Sequence, residues 1–211
     1  MPGPLVTEFL VVRHGQSLWN AEQRWQGWAD PPLSALGEQQ ATAAGRRVAG
    51  GGRFAAVASS DLQRALRSAE IIAGIAPSPG PVEVHPGLRE HDVGEWSGMD
   101  RAEIDRRWPG QVTRWRTGEL SATPGGEARP AFEARLLAAL GALAAAHPGQ
   151  RVLTVCHGGV IRAISRRAGH QVTGVDHLAG GWFEIAGGQP VLTGLVNLLG
   201  GAVPRCDEAS A

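Results

Sequence analysis

Residues 5–20 read LVTEFLVVRHGQSLWN, and residues 151–162 read RVLTVCHGGVIR. Each is a short apolar, branched run that leads into a histidine followed by glycine. A continuous apolar run of this length predicts a strand buried on both faces, the kind found inside a parallel sheet. Ligands of open α/β sheets sit beyond the carboxyl ends of the strands. If these two strands are neighbours, His14 and His157 meet in one crevice.

Outward from these runs, helix and strand patterns alternate. Ser34 predicts the N-cap of a helix to about residue 48, with Glu38 in its first turn and Gly50-Gly51-Gly52 ending it. Residues 54–59 read as a second strand and 61–75 as a helix that Asp61 could cap. A turn-rich link at 77–81 leads to a weak strand at 82–84. Helical periodicity over 131–146 stops at His147-Pro148-Gly149, and another helix runs from 158 to about 168. Residues 183–185 and 191–197 predict a terminal strand pair, and the tail from Gly200 reads as loose. The alternation predicts a three-layer α/β sandwich with a mostly parallel central sheet and helices on both faces, in one domain over 1–211. Residues 86–130 break the pattern. They are rich in Gly, Pro and Trp, with one short helix at 101–108, and read as a lid-like excursion over the site.

The 211 residues carry 20 basic and 20 acidic side chains, so no basic excess points to nucleic acid. No apolar stretch is long enough to span a membrane. The start lacks a basic n-region, so a cytoplasmic protein is expected. Cys156 and Cys206 are too few for a disulfide framework. Every basic residue is arginine. Because that bias runs through the whole chain, it reads as composition, and only particular arginines carry weight.

Arg13 supplies a cation beside His14, and Gly15 lets the backbone approach a ligand closely. Ser17 and Asn20 add polar groups within the next turn. Arg64 lies just inside a helix beyond another strand end, and Glu90 lies in the excursion. Cys156 falls on the opposite face of its strand from His157 and reads as core. His14, His91 and His157 lack the tight spacing of a metal site, so neither a metal nor another cofactor is expected. Trp19, Trp25, Trp28 and Trp96 either line the pocket mouth or fill the core of the excursion.

VVRHGQSLWNAEQRWQGWADPPLSALG, SSDLQRALRSAE, LREHDVGEWSG and TVCHGGVIRAI, four blocks in order over residues 5–165, resemble the histidine phosphatase superfamily, the phosphoglycerate mutase-like branch. The resemblance implies that His14 is the nucleophile that becomes phosphohistidine. It implies that Arg13, Arg64 and His157 surround the phosphoryl oxygens, with Asn20 hydrogen-bonding to them. Glu90 would be the proton donor and then the base, with His91 and Asp92 as near rivals in the same block. Gln26 and Gly27 would lie on the substrate side, and Gly158 would open a phosphate-facing turn.

The chemistry suits those residue types. Splitting hydrolysis into transfer to His14 and then to water replaces one hard step by two easier ones, and fixed guanidinium forks stabilise spread phosphoryl charge. Gly159, in CHGGVIR, stands where the mutases of this branch carry Asn. That feature and the Gly-Gly-Glu at 125–127 favour hydrolysis of a small phosphorylated metabolite. A phosphoglycerate mutase is the alternative, and a non-catalytic phosphate-motif binder the second. The family includes homodimers, and the apolar pair near 191–199 is a candidate interface.

Overall fold

The computed structural model describes residues 5–76, 80–186 and 188–208. Strand β1 (Thr7–Arg13) leads to a short helix α1 (Leu18–Ala21) and then α2 (Ala35–Ala49). Strand β2 (Ala56–Ser59), helix α3 (Gln63–Ala73) and the two-residue strand β3 (Glu83–Val84) follow. The excursion holds two 3₁₀ turns, Pro86–Leu88 and Gly94–Trp96, and helices α4 (Arg101–Arg107) and α5 (Gln111–Thr117). The chain continues with α6 (Arg129–Ala146), β4 (Arg151–Cys156), α7 (Gly158–Arg167), β5 (His170–Thr173), β6 (Ala179–Ala186), β7 (Gln189–Asn197) and β8 (Arg205–Glu208).

Six strands form one sheet in the order β3-β2-β4-β1-β6-β7. The β1–β4, β2–β4 and β2–β3 pairings are parallel, and β6 and β7 join antiparallel at one side. The neighbourhood of β1 and β4 is as expected, with Arg13 level with Cys156. Alternate residues of these strands face opposite layers. Phe9, Val11 and Val152 pack with Leu136, Leu140, Val160 and Ile164 of α6 and α7. Leu10, Val12, Leu153 and Val155 pack with Ala44, Val48, Ala69 and Ile72 of α2 and α3. The result is the three-layer sandwich, with both faces of the central strands dry.

The structure corrects several local expectations. Asp61 does not cap α3. Leu62 occupies the N-cap position with no side-chain bond, while the Asp61 carboxylate takes a two-point ion pair from Arg89 at 2.7 and 2.6 Å. Strand β6 starts four residues before its expected start, at Ala179, because Gly180 and Gly181 hid its first half. A Cβ at Gly180 would collide with the Val11 carbonyl, so only glycine lets β6 lie this close to β1. The tail is not wholly loose. Arg205–Glu208 pairs antiparallel with β5, from Thr173↔Arg205 to His170↔Glu208. Helices α1 and α5 were not expected. Positions 77–79 of the expected turn and 209–211 of the tail lie outside the described residues. No described helix is long and apolar enough to cross a membrane.

Candidate active site

Three strand ends supply the site. The β1 ladder continues one residue past the strand through the His14 N–H to the Cys156 carbonyl, 2.9 Å. That bond sets His14 beside His157, the N-cap of α7, with ring centroids 5.2 Å apart at 63°. Both histidines are buried. The Nδ1 of His14 lies 2.6 Å from the Gly15 carbonyl. A carbonyl can only accept, so Nδ1 carries the proton, and Nε2 is left as a bare lone pair. Burial, then the positive charges of Arg64 and Arg13, hold both imidazoles well below the ordinary histidine pKa. His14 is therefore neutral, the state a nitrogen nucleophile needs.

Arg13, on β1, anchors one guanidinium nitrogen on the Val175 carbonyl at 3.0 Å. Arg64 is 1% exposed and spends both terminal nitrogens on the loop at 27–29, on Gly27 and Ala29 carbonyls at 2.8 Å each. Among the described residues its Nε has no partner, and neither does Nδ1 of His157. A buried unpaired polar atom costs about 1–3 kcal/mol, so two in one cluster mark a place shaped for an acceptor-rich group. Desolvation brings Arg13 and Arg64 down to about 10, with Glu90 acting in the opposite direction on each. Both stay cationic at neutral pH.

Glu90 reaches this cluster from the excursion. Its two oxygens accept from the Gly159 N–H at 3.0 Å and the His91 N–H at 2.8 Å, which moors the carboxylate at the first turn of α7. A Cβ at Gly159 would collide with that carboxylate. Its rivals are occupied elsewhere. His91 stacks on Phe132 (4.7 Å, 10°) with its Nε2 on the Glu127 carbonyl, and Asp92 accepts from the Gly94 N–H. The Cys156 thiol is buried in the core, which pushes its pKa up.

The remaining expected residues fall around the rim. Ser17 and Asn20 form the capping box of α1, in which the Ser17 N–H and hydroxyl lie 3.2 and 3.1 Å from the Asn20 side-chain oxygen. Ser17 is fully buried, and its hydroxyl also lies 2.7 Å from the Gln26 side-chain oxygen Oε1. The amide nitrogen of Asn20 is the end left to donate. Gly27 has φ +51° and a Cβ there would meet Val93. Gly158 is the first residue of α7. The tryptophans divide. Trp96 is fully buried and packs edge-on with Trp25 and Trp115, whereas Trp28 is 40% exposed and its indole N–H donates to the Glu90 carbonyl at 2.8 Å.

Sequence reasoning missed four contributors. Arg162, on α7, brings a guanidinium within 3.2 Å of where a Gly158 Cβ would stand, on the point that Arg13 flanks at 3.7 Å. Its position five residues after His157, one turn into the helix, was the available signal. Arg135 braces the Glu90 segment through the Gly87, Arg89 and Glu90 carbonyls. Ser60 touches His157, and His177 lies with its ring centroid 6.0 Å from that of His14 and its Nδ1 3.2 Å from the His14 carbonyl.

The geometry is that of a neutral imidazole ringed by the buried Arg64, the half-buried Arg13, a second imidazole and one carboxylate. The sequence profile described as the histidine phosphatase superfamily (branch 1) matches residues 9–180. Over 164 residues the chain is 38% identical to a metal-independent phosphoserine phosphatase of Arabidopsis thaliana, covering 77% of this chain and 68% of that one. It is also 38% identical, over 160 residues, to a 2,3-bisphosphoglycerate-dependent phosphoglycerate mutase of Methylobacterium radiotolerans, covering 74% and 76%. A mycobacterial glucosyl-3-phosphoglycerate phosphatase, solved with VO3, superposes with a TM-score of 0.71 at 29% identity, over 98% of this chain and 99% of that one.

Proposed function

Because this chain belongs to the histidine phosphatase superfamily, branch 1, we propose that it hydrolyses a small phosphomonoester through a phosphohistidine on His14. The observation that carries this reading is the state of that ring. Its Nδ1–H is spent on the Gly15 carbonyl and its lone pair is exposed among Arg13, Arg64 and His157.

In the first half-reaction the Nε2 lone pair attacks phosphorus and the ester P–O bond breaks. The protonated Glu90 gives its proton to the leaving oxygen. In the second, Glu90 takes a proton from water, the water oxygen attacks phosphorus, and the P–N bond breaks to release phosphate. Arg13 and Arg64 carry the equatorial charge in both steps, with Asn20 donating from the rim. Gln26, Gly27 and Gly158 shape the wall on the substrate side, and Ser17 holds Gln26 in place.

Hydrolysis is favoured over return of the phosphoryl group to a second hydroxyl. Gly159 holds the place of the mutases' Asn, and no side chain fits there without displacing Glu90. The likeness to a mutase keeps isomerisation as the measurable rival. The experiment is phosphate release in EDTA from a panel of phosphomonoesters, for the native protein and His14→Ala, with 3-phosphoglycerate and its bisphosphate primer followed alongside. Native release that falls at least about a thousand-fold in His14→Ala supports the reading. Near-normal activity in that variant removes His14 from the role. Isomerisation of 3-phosphoglycerate with little free phosphate makes the protein a mutase.

A further inference from the structure

Ser60 follows β2 directly, is fully buried, and has its hydroxyl oxygen 2.7 Å from Nε2 of His157. Among the described residues that hydroxyl has no other side-chain or backbone partner, and Nδ1 of His157 has none at all. Two neutral arrangements are open to this pair. If Nε2 carries the proton and donates to Ser60, the buried hydroxyl hydrogen has no acceptor. The unpartnered Nδ1 is then a lone pair that repels an anion. If Ser60 donates to Nε2, the hydroxyl is satisfied and Nδ1 carries a hydrogen that lacks only an acceptor. A phosphoryl oxygen is such an acceptor.

Resting on the phosphatase reading above, we propose that Ser60 is a positioning residue that fixes His157 as the Nδ1–H tautomer, so that a neutral imidazole donates to the phosphoryl group. His14 and His157 then share one tautomer and present opposite ends. His14 hides its N–H on Gly15 and offers a lone pair, whereas His157 hides its lone pair on Ser60 and offers an N–H. The groups that face His157 are His14 from β1, Arg13, Arg64 and Arg135, with Glu90 moored on the adjacent Gly159. The surrounding cations disfavour a second proton on His157, which is why a neutral donor is needed.

The test uses the full chain with ring-¹⁵N histidine, in long-range ¹H–¹⁵N correlation spectra with and without vanadate, for the native protein, Ser60→Ala and Ser60→Thr. The native protein and Ser60→Thr are expected to show His157 as the Nδ1–H tautomer, and Ser60→Ala to move towards Nε2–H. In parallel, kcat/KM of Ser60→Ala is expected to fall about 10- to 100-fold at alkaline pH. In a His157→Ala background, Ser60→Ala is expected to add nothing. An Nε2–H tautomer in the native protein, or an unchanged tautomer in Ser60→Ala, would overturn the proposal. If the native protein releases no phosphate, the phosphatase reading fails, and the tautomer with vanadate still decides this inference.

Discussion

A methyl group on residue 159 would stand in the space of the Glu90 carboxylate. The carboxylate is held by a backbone N–H at that residue, so the missing side chain is what lets it dock. Gly159→Ala is expected to lower kcat about 100-fold for esters with poor leaving groups, and far less for p-nitrophenyl phosphate, whose leaving oxygen needs no proton. Glu90→Gln should reproduce the pattern. A steady-state series over leaving groups checks both, and an unchanged dependence in Glu90→Gln would return the role to His91 or Asp92. At this scale the sequence was informative about Arg13, His14, Arg64, His157 and Glu90, which the fold brings together. It was silent on Ser60 and Arg135, because their significance is a partner 97 and 45 positions away.

Among the elements, α6 matters to the site through one side chain. Arg135 pairs with Glu127 at 2.7 Å and donates to the carbonyls of Gly87, Arg89 and Glu90, so a helix on one face of the sheet clamps the segment that carries Glu90. Arg135→Met removes the ion-pair partner of the half-buried Glu127 carboxylate and the donor of the Gly87 and Arg89 carbonyls, while the Glu90 carbonyl keeps the Trp28 N–H. Stability is expected to fall by about 2–4 kcal/mol in urea unfolding. On the proposed mechanism, turnover of poor leaving groups should fall more than that of p-nitrophenyl phosphate, because the backbone that carries Glu90 loses its brace. Equal loss for both esters would make the clamp a matter of stability alone. The helix itself was legible from its period. The excursion was not, because Trp25, Trp96, Trp108 and Trp115 build a separate small core with Ile104 and Val112 that follows no single period.

For the molecule as a whole, burying His14 and His157 as neutral rings ties stability to pH. Unfolded histidines take a proton below about 6.5, whereas both folded rings resist it until well below that. The unfolded state thus binds more protons as pH falls through that window. Stability should drop there by about 1.4 kcal/mol per pH unit for each ring. His177, lowered to about 4 by burial and then Arg13, adds in the same direction. Thermal or urea unfolding between pH 7 and 5 measures this, and His14→Ala should flatten the slope.

Local chemistry determined the two apolar strands that end in His-Gly, most helices, and the family to which the chain belongs, because period, caps and short motifs act within a few residues. Tertiary packing alone decided the rest: the bonding of Ser60 to His157, Arg135 beneath Glu90, the diversion of Asp61 from capping α3 to pairing Arg89, and the strand in the tail. Each is a long-range hydrogen bond or pairing between segments with no signal of their own. Such partners are chosen only when the sheet order brings distant strand ends to one edge.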